Sequence, residues 1–186
     1  MFKRNRKLIK EVLLDKTLID SEITVCGWIN NFRVQKSNGI SFITLSDGTS
    51  VTELQIIVDP QTEEEIESFK DIYEKGTKGV SIKATGTLVK SPMSGQEVEL
   101  KSNSIEVYGE VDASNYPISK NKLTLEHLRK FPHLRIRTKT LAAISRIRNC
   151  CSMATHTFFQ LHSFKYVHTP IITSNDCEGA GETFNI

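Results

Sequence analysis

Apolar and polar residues alternate along five short runs between about residues 21 and 111. This period of two, combined with many β-branched and aromatic residues, is typical of strands that bury one face. Turn residues such as Asn38-Gly39 and Asp47-Gly48 separate the first three runs at hairpin distance and predict an antiparallel meander. The predicted strands are Glu22 to Val34, Gly39 to Leu45, Val51 to Asp59, Gly79 to Lys90 and Glu97 to Val107.

A helical pattern interrupts the strands between Thr62 and Lys75. Its apolar residues recur every three to four positions, and Thr62 precedes three glutamates, as suits the N-terminus of a helix. Three strands, a helix and two further strands is the element order of the OB-fold, a small Greek-key barrel that often binds oligonucleotides. The sequence therefore predicts a five-stranded OB-fold barrel over residues 21–111.

The same alternation predicts which side chains point away from the barrel. The apolar residues of the third run share one phase, so Gln55 faces solvent, and Phe42 has the outward phase of the second run. An outward aromatic ring beside polar groups can stack unpaired bases, but it can also pack under a loop or another domain. Arg33 could contact phosphate or simply be solvated. A bulge after Gly27 can shift the phase of the first run, so its faces stay unassigned.

Beyond the barrel, the pattern changes from strand-like to helical. Residues 112–121 carry Asp, Ser, Asn and Pro without periodicity and predict a linker. From Thr140 to Leu161, apolar residues recur at steps of three and four, which predicts a helix of about six turns with one apolar face. Such a face is usually core or an interface. A strand-like run, Tyr166 to Pro170, follows the helix.

Charge is unevenly distributed, although the chain of 186 residues has a net charge of only +2. Nine basic residues and the single acid Glu126 lie between Lys120 and Arg148. A local excess of this size favours a polyanion, because each neutralised phosphate releases counterions. A solvated helix face or an acidic protein partner remains an alternative interpretation.

Composition and motifs exclude several classes of protein. With 38% hydrophobic and 25% charged residues, the chain is globular rather than collagenous or disordered. It has no apolar run long enough for a membrane helix, and its basic N-terminus lacks the apolar core of a secretory signal. The four cysteines show no zinc-like spacing, and no hydrolase signature occurs. We expect a cytoplasmic protein with reduced thiols and no bound metal.

Several segments, in their order along the chain, carry a resemblance to a known family. The segments are VCGWINNFR, ISFITLSDG, LQIIVD, HLRIRT with the helix that follows it, TPIIT and EGAGE. Together they resemble the N-terminal part of asparaginyl-tRNA synthetases, from about residue 20 to the end. EGAGE separates these enzymes from their aspartate and lysine relatives. The likeness is nearer to the eukaryotic cytosolic form than to bacterial ones.

The resemblance implies a role for individual residues. In this family the barrel binds the anticodon of tRNA(Asn): Phe42 corresponds to the residue that stacks on the central uridine, and Gln55 and Arg33 to polar contacts. Glu178, in a loop over the amino-acid pocket, corresponds to the glutamate that approaches the substrate's amino group. The helix and the run ending in proline resemble motif 1, which builds a homodimer interface. Its matching positions are Leu141, Ile144, Ile147 and Pro170.

The chain departs from the family pattern by ending soon after motif 1. Motifs 2 and 3, which contact the phosphates of ATP, and the magnesium ligands are missing from it. We therefore expect no cofactor in this chain, no adenylate formation by it alone and an uncovered apolar face on the motif 1 helix; the catalytic residues are unknown. The expected divisions are a basic extension (1–20), the barrel (21–111), a linker (112–138) and an incomplete α/β catalytic domain (139–186).

Two functional classes follow from these observations. The chain is either the N-terminal portion of an ATP-dependent asparagine–tRNA ligase or a complete module that binds tRNA and pairs with a synthetase through the motif 1 helix. A weaker alternative is a general binder of single-stranded nucleic acid.

Overall fold

A computed structural model describes residues 5–35, 39–92, 95–119, 123–173, 179 and 181 of the chain. It divides into two compact units, Met1–Ala143 and Ile144–Ile186. The first unit contains all the strands that the structure describes.

The first unit is built on a closed five-stranded barrel, which confirms the predicted OB-fold. Its strands pair in the order β1-β2-β3-β5-β4. All neighbouring pairs are antiparallel except β3 and β5, whose parallel pairing closes the barrel together with the β1–β4 pair. The strands are β1 (Glu22–Val34), β2 (Ser41–Ser46), β3 (Leu54–Val58), β4 (Ser81–Lys90) and β5 (Val98–Gly109).

The barrel interior follows the predicted alternation. Ile43 and Leu45 of β2 are fully buried, as are Leu54 and Ile56 of β3. Phe42, between the buried positions, is half-buried and points outward. Burying a side chain of this size contributes about 1.5–3 kcal/mol, so the inward phase of each strand is strongly specified.

A β-bulge interrupts the β1–β2 ladder, as anticipated for the first strand. The register shifts between Ile29, which pairs with Leu45, and Asn31, which pairs with Thr44. The extra residue, Asn30, reverses the phase of the strand. Beyond it, Asn31 and Arg33 are exposed and Phe32 between them is half-buried, while Val34 at the end of the strand is also exposed.

The N-terminal extension contributes to the core, which its sequence did not predict. Helix α1 (Ile9–Leu14) buries Ile9 and Val12 against the barrel. Its first turn is capped from the β2–β3 loop: the Ile9 N–H donates to Asp47 Oδ2 at 2.9 Å. A helix of six residues is too short to form alone, so barrel contacts stabilise it.

The predicted helix between β3 and β4 is present but divided. It forms α2 (Glu63–Ser68) and α3 (Lys70–Lys75), which meet at Phe69. Thr62 Oγ1 accepts a hydrogen bond from the Glu65 N–H at 3.2 Å, which confirms the predicted N-terminus. Phe69, at the break, and Ile72 of α3 are buried in the core, whereas α2 buries no residue.

The predicted linker packs on the barrel in part. It contains α4 (Leu125–Arg129), and it buries Ile118 and Leu128 almost completely. The ring of Tyr116 lies against Gly79, where φ is +98° and a Cβ would come within 2.6 Å of the ring. The domain boundaries themselves stay a prediction.

Helix α5 (Lys139–Leu161) matches the predicted helix. Its residues in the second unit are largely exposed: Ile147 is 62% and Phe158 55% accessible. The strand-like run that ends at Pro170 is exposed and joins no ladder among the described residues. Within those residues, no helix has the length and apolar character needed to span a bilayer.

Candidate nucleic-acid interface

Two rows of side chains cross the outer face of the barrel. Both rows run perpendicular to the strands, because directly paired residues of neighbouring strands point to the same side. The aromatic row consists of Arg33, Phe42, Ile57 and Lys101, each paired with the next. The polar row consists of Asn31, Thr44 and Gln55, each likewise paired with the next. Together they form what we call the two-row face.

The centre of the aromatic row is a contact between a cation and a ring. Cζ of Arg33 lies 5.0 Å from the centroid of the Phe42 ring. A guanidinium plane and a phenyl ring are both surfaces on which bases stack, and the guanidinium also attracts phosphate. The pair therefore suits an unpaired nucleotide.

Gln55 adds hydrogen-bonding capacity beside the ring. It pairs with Thr44, whereas Phe42 pairs with Ile57, so Gln55 is the diagonal neighbour of Phe42. Diagonal neighbours are roughly 7–8 Å apart, so the Gln55 amide is within reach of a base edge that projects from a stacked ring. A primary amide donates and accepts at once, which allows it to distinguish bases.

The structure thus brings together the three predicted RNA-binding residues Arg33, Phe42 and Gln55, although their contact with RNA stays a prediction. The sequence missed Asn31, Ile57 and Lys101. Alternation from Gln55 identifies Ile57. Asn31 required the position of the bulge, which the sequence suggested only as a shift after Gly27, and Lys101 required the parallel β3–β5 register, which has no local signal.

The other predicted site residues lie elsewhere. Leu141 is half-buried at the start of α5, and Ile144, Ile147 and Pro170 are exposed. Glu178 lies outside the described residues. The dimer-interface and amino-acid-binding assignments stay predictions.

Basic residues after the barrel partly serve to attach that segment. The Arg137 guanidinium covers the Trp28 ring at 4.8 Å from its centroid and donates from Nη1 to the Tyr116 hydroxyl at 3.4 Å. The Trp28 ring, 40% exposed, thus serves at least as an attachment point for this segment. The basic residues between Lys120 and Arg148 are therefore not all available to a polyanion.

A charged cluster lies beside this contact. Glu53 keeps only 13% of its side chain exposed, accepts a hydrogen bond from Asn30 Nδ2 and pairs with Lys139 Nζ at 3.4 Å. Burial lowers the pKa of the nearby Lys78 ammonium, an effect opposed by Glu53 and reinforced by Lys139. The cluster joins the start of β3 to the start of α5.

A separate concavity of about 680 Å³ lies over β1, β4 and β5. Its lining includes Arg6, Cys26, Trp28, Lys83 and Tyr108. Burial raises the pKa of the Cys26 thiol, while the positive charges of Arg6 and Lys83 oppose the rise. This weakens Cys26 as a nucleophile at neutral pH. The described residues hold no group of His, Cys, Asp and Glu suited to a metal ion.

Comparison with known proteins places the chain in a family. Residues 23–122 match the tRNA anti-codon family, described as an OB-fold nucleic acid binding domain. Asparagine–tRNA ligase from Borrelia garinii is 45% identical over 96% of this chain. That alignment covers 37% of the relative, so the chain spans little more than a third of the protein it matches.

Solved structures show the same fold at lower identity. Asparaginyl-tRNA synthetase from Pyrococcus horikoshii, complexed with asparaginyl-adenylate, superposes with a TM-score of 0.76 at 21% identity, over 94% of this chain and 38% of that one. Aspartyl-tRNA synthetase from Entamoeba histolytica gives a TM-score of 0.72 at 18% identity, over 91% and 40%. The fold is therefore shared with an aspartate enzyme.

The sequence relatives also bear on whether the chain is nearer to bacterial or to eukaryotic enzymes. The Borrelia relative is bacterial, so the expected nearness to the eukaryotic cytosolic form is not supported. The chain belongs to the OB-fold nucleic acid binding domains of the tRNA anti-codon family, and over nearly its whole length it is similar to the N-terminal part of asparagine–tRNA ligases.

Proposed function

We propose that the two-row face binds the anticodon loop of tRNA(Asn), and that the chain serves ATP-dependent asparaginyl-tRNA formation in the cytoplasm. The observation that carries the proposal is the Arg33–Phe42 stacking pair beside Gln55 on the outside of a nucleic-acid-binding barrel. The 45% identity to an asparagine–tRNA ligase supports the choice of tRNA.

Each residue has a separate task in the proposed complex. The half-buried Phe42 ring stacks on the central base, which contributes about 1–3 kcal/mol per base. Gln55 reads the edge of that base through its amide. Arg33 stacks on the neighbouring nucleotide or binds its phosphate.

Asparagine, ATP and magnesium are further partners that we propose for the whole ligase. ATP and magnesium would supply the phosphate chemistry that activates the amino acid. Within this chain, we assign anticodon recognition to the two-row face of the barrel.

The function is tested by binding of the purified chain to a labelled anticodon stem-loop. We expect the loop with the anticodon GUU to bind more tightly than one with a changed central base, because only a matching base satisfies Gln55 while stacked on Phe42. Fluorescence anisotropy at fixed salt gives both affinities. Equal affinity for the two loops would indicate a general binder of single strands, and no binding would refute the proposal.

We further propose that α5 forms a dimer interface through its apolar face, with Leu141, Ile144 and Ile147 on the helix and Pro170 beyond it. Ile144 and Ile147 are exposed, 43% and 62%. An exposed apolar stripe on a long helix is typical of an interface.

Ile147→Asp should shift the chain from dimer to monomer, because the interface would bury a carboxylate without a partner. Sedimentation equilibrium measures the mass. Arg148→Asp, which alters the exposed neighbour of Ile147 on a different side of the helix, is the matched control and should leave the dimer largely intact. A monomeric wild-type chain at high concentration would contradict the assignment.

A further inference from the structure

We propose that Lys101 is a phosphate-binding residue that completes the aromatic row. It would hold the RNA backbone next to the nucleotide stacked on Phe42, at the end of the row opposite Arg33. The inference rests on the proposed function and extends it by a residue on a different strand, β5.

The strand register places Lys101 in line with the ring. Phe42 pairs with Ile57, and Ile57 pairs with Lys101 across the parallel β3–β5 contact. Neighbouring strands are about 4.8 Å apart, so the backbone of Lys101 lies roughly 10 Å from that of Phe42. RNA that crosses the strands along this row meets Arg33, the ring and Lys101 in succession.

The side chain is available for this contact. Lys101 is exposed, unlike its neighbours Leu100 and Ser102, which are buried. Within the described part of the chain, no carboxylate forms an ion pair with it. A lysine on a flexible four-carbon stem binds phosphate as a point charge without selecting a base.

The backbone of Lys101 is held in position by a close approach of β4. At Gly86, a Cβ would lie 2.1 Å from the Lys101 carbonyl oxygen, so only glycine fits this bulge. Ser102 Oγ donates at 3.1 Å toward the Thr85 carbonyl and lies 3.0 Å from the Ser104 carbonyl. These contacts set the direction in which the lysine leaves the sheet.

The test is the salt dependence of stem-loop binding by wild type and Lys101→Gln. For single strands, the slope of log K against log salt changes by about 0.7 for each phosphate contact, so the variant should lose roughly 0.7 of slope and about fivefold affinity at 0.1 M salt. The affinity ratio between the GUU loop and the loop with a changed central base should stay at its wild-type value, because a phosphate contact carries no base information.

Lys10→Gln is the matched control. Lys10 is also exposed, but it lies on α1, whose Lys10 N–H contacts Thr49 beyond the far end of β2 from Phe42. The Lys10→Gln variant loses the same charge as Lys101→Gln and should keep the wild-type slope of log K against log salt. Urea unfolding, followed by Trp28 fluorescence, confirms that both variants fold.

Three results overturn the assignment of Lys101 while leaving anticodon binding intact. They are an unchanged slope in Lys101→Gln, an equal loss of slope in Lys10→Gln, and a changed ratio between the two loops. If the wild-type chain binds neither loop, the proposed function fails and this inference with it.

Discussion

Phe42→Ala should weaken binding of the GUU stem-loop by about 5- to 150-fold, the range that corresponds to 1–3 kcal/mol of base stacking. The ring is half-buried on the outer face, and alanine leaves the central base without a stacking partner. Arg33 would also lose the ring against which it lies, 5.0 Å from its centroid. Anisotropy titration of the labelled loop measures the loss.

Two further variants separate stacking from packing. Phe42→Trp keeps an aromatic surface and should retain binding within a fewfold of wild type. Phe42→Leu keeps apolar volume without a ring and should resemble the alanine variant. Binding by Phe42→Ala at wild-type strength would show that Phe42 is only a packing residue, the alternative that its sequence pattern allows.

Ile56→Ala should destabilise the barrel by about 2–5 kcal/mol, the usual cost of truncating a fully buried isoleucine. Ile56 is completely buried and pairs with Ile43 on one side and Leu100 on the other. Its loss leaves a cavity where the parallel β3–β5 contact closes the barrel. Urea unfolding monitored by the single tryptophan, Trp28, measures the change in the free energy of unfolding.

The neighbouring variant Gln55→Ala is the matched control for this prediction. Gln55 lies on the outer side of the same strand, and surface substitutions usually change stability by no more than about 0.5 kcal/mol. It should fold normally and bind the GUU loop less selectively. Equal destabilisation by Gln55→Ala and Ile56→Ala would contradict the inward and outward assignment of β3.

Local patterns predicted most of the barrel because its strands obey a local rule. The bounds of β1 are as predicted, and Phe42 and Gln55 occupy the outward phase that alternation assigned to them. In a strand, the residues before and after each buried residue point outward, so apolar and polar residues alternate visibly in the sequence. The turn residues between the strands, such as Asp47-Gly48, mark the hairpins for the same reason.

Segments without the period-two alternation of the strands were not predictable from local patterns. Helix α1 has six residues and takes its cap from Asp47, which is 38 positions away. The same holds for residues 112–138, where Tyr116 packs on Gly79 and Arg137 on Trp28. These contacts join segments that are distant in sequence, and no periodic pattern records them.

The sequence by itself determined the element order of the barrel, the inner and outer phases of β2 and β3, and the motifs that resemble asparagine–tRNA ligases. Only the tertiary structure decided that Arg33, Phe42, Ile57 and Lys101 form one row. That row depends on the bulge at Asn30 and on the parallel pairing of β3 with β5. Register between strands that are distant in sequence is set by barrel closure and core packing, which act on the whole fold rather than on a local segment.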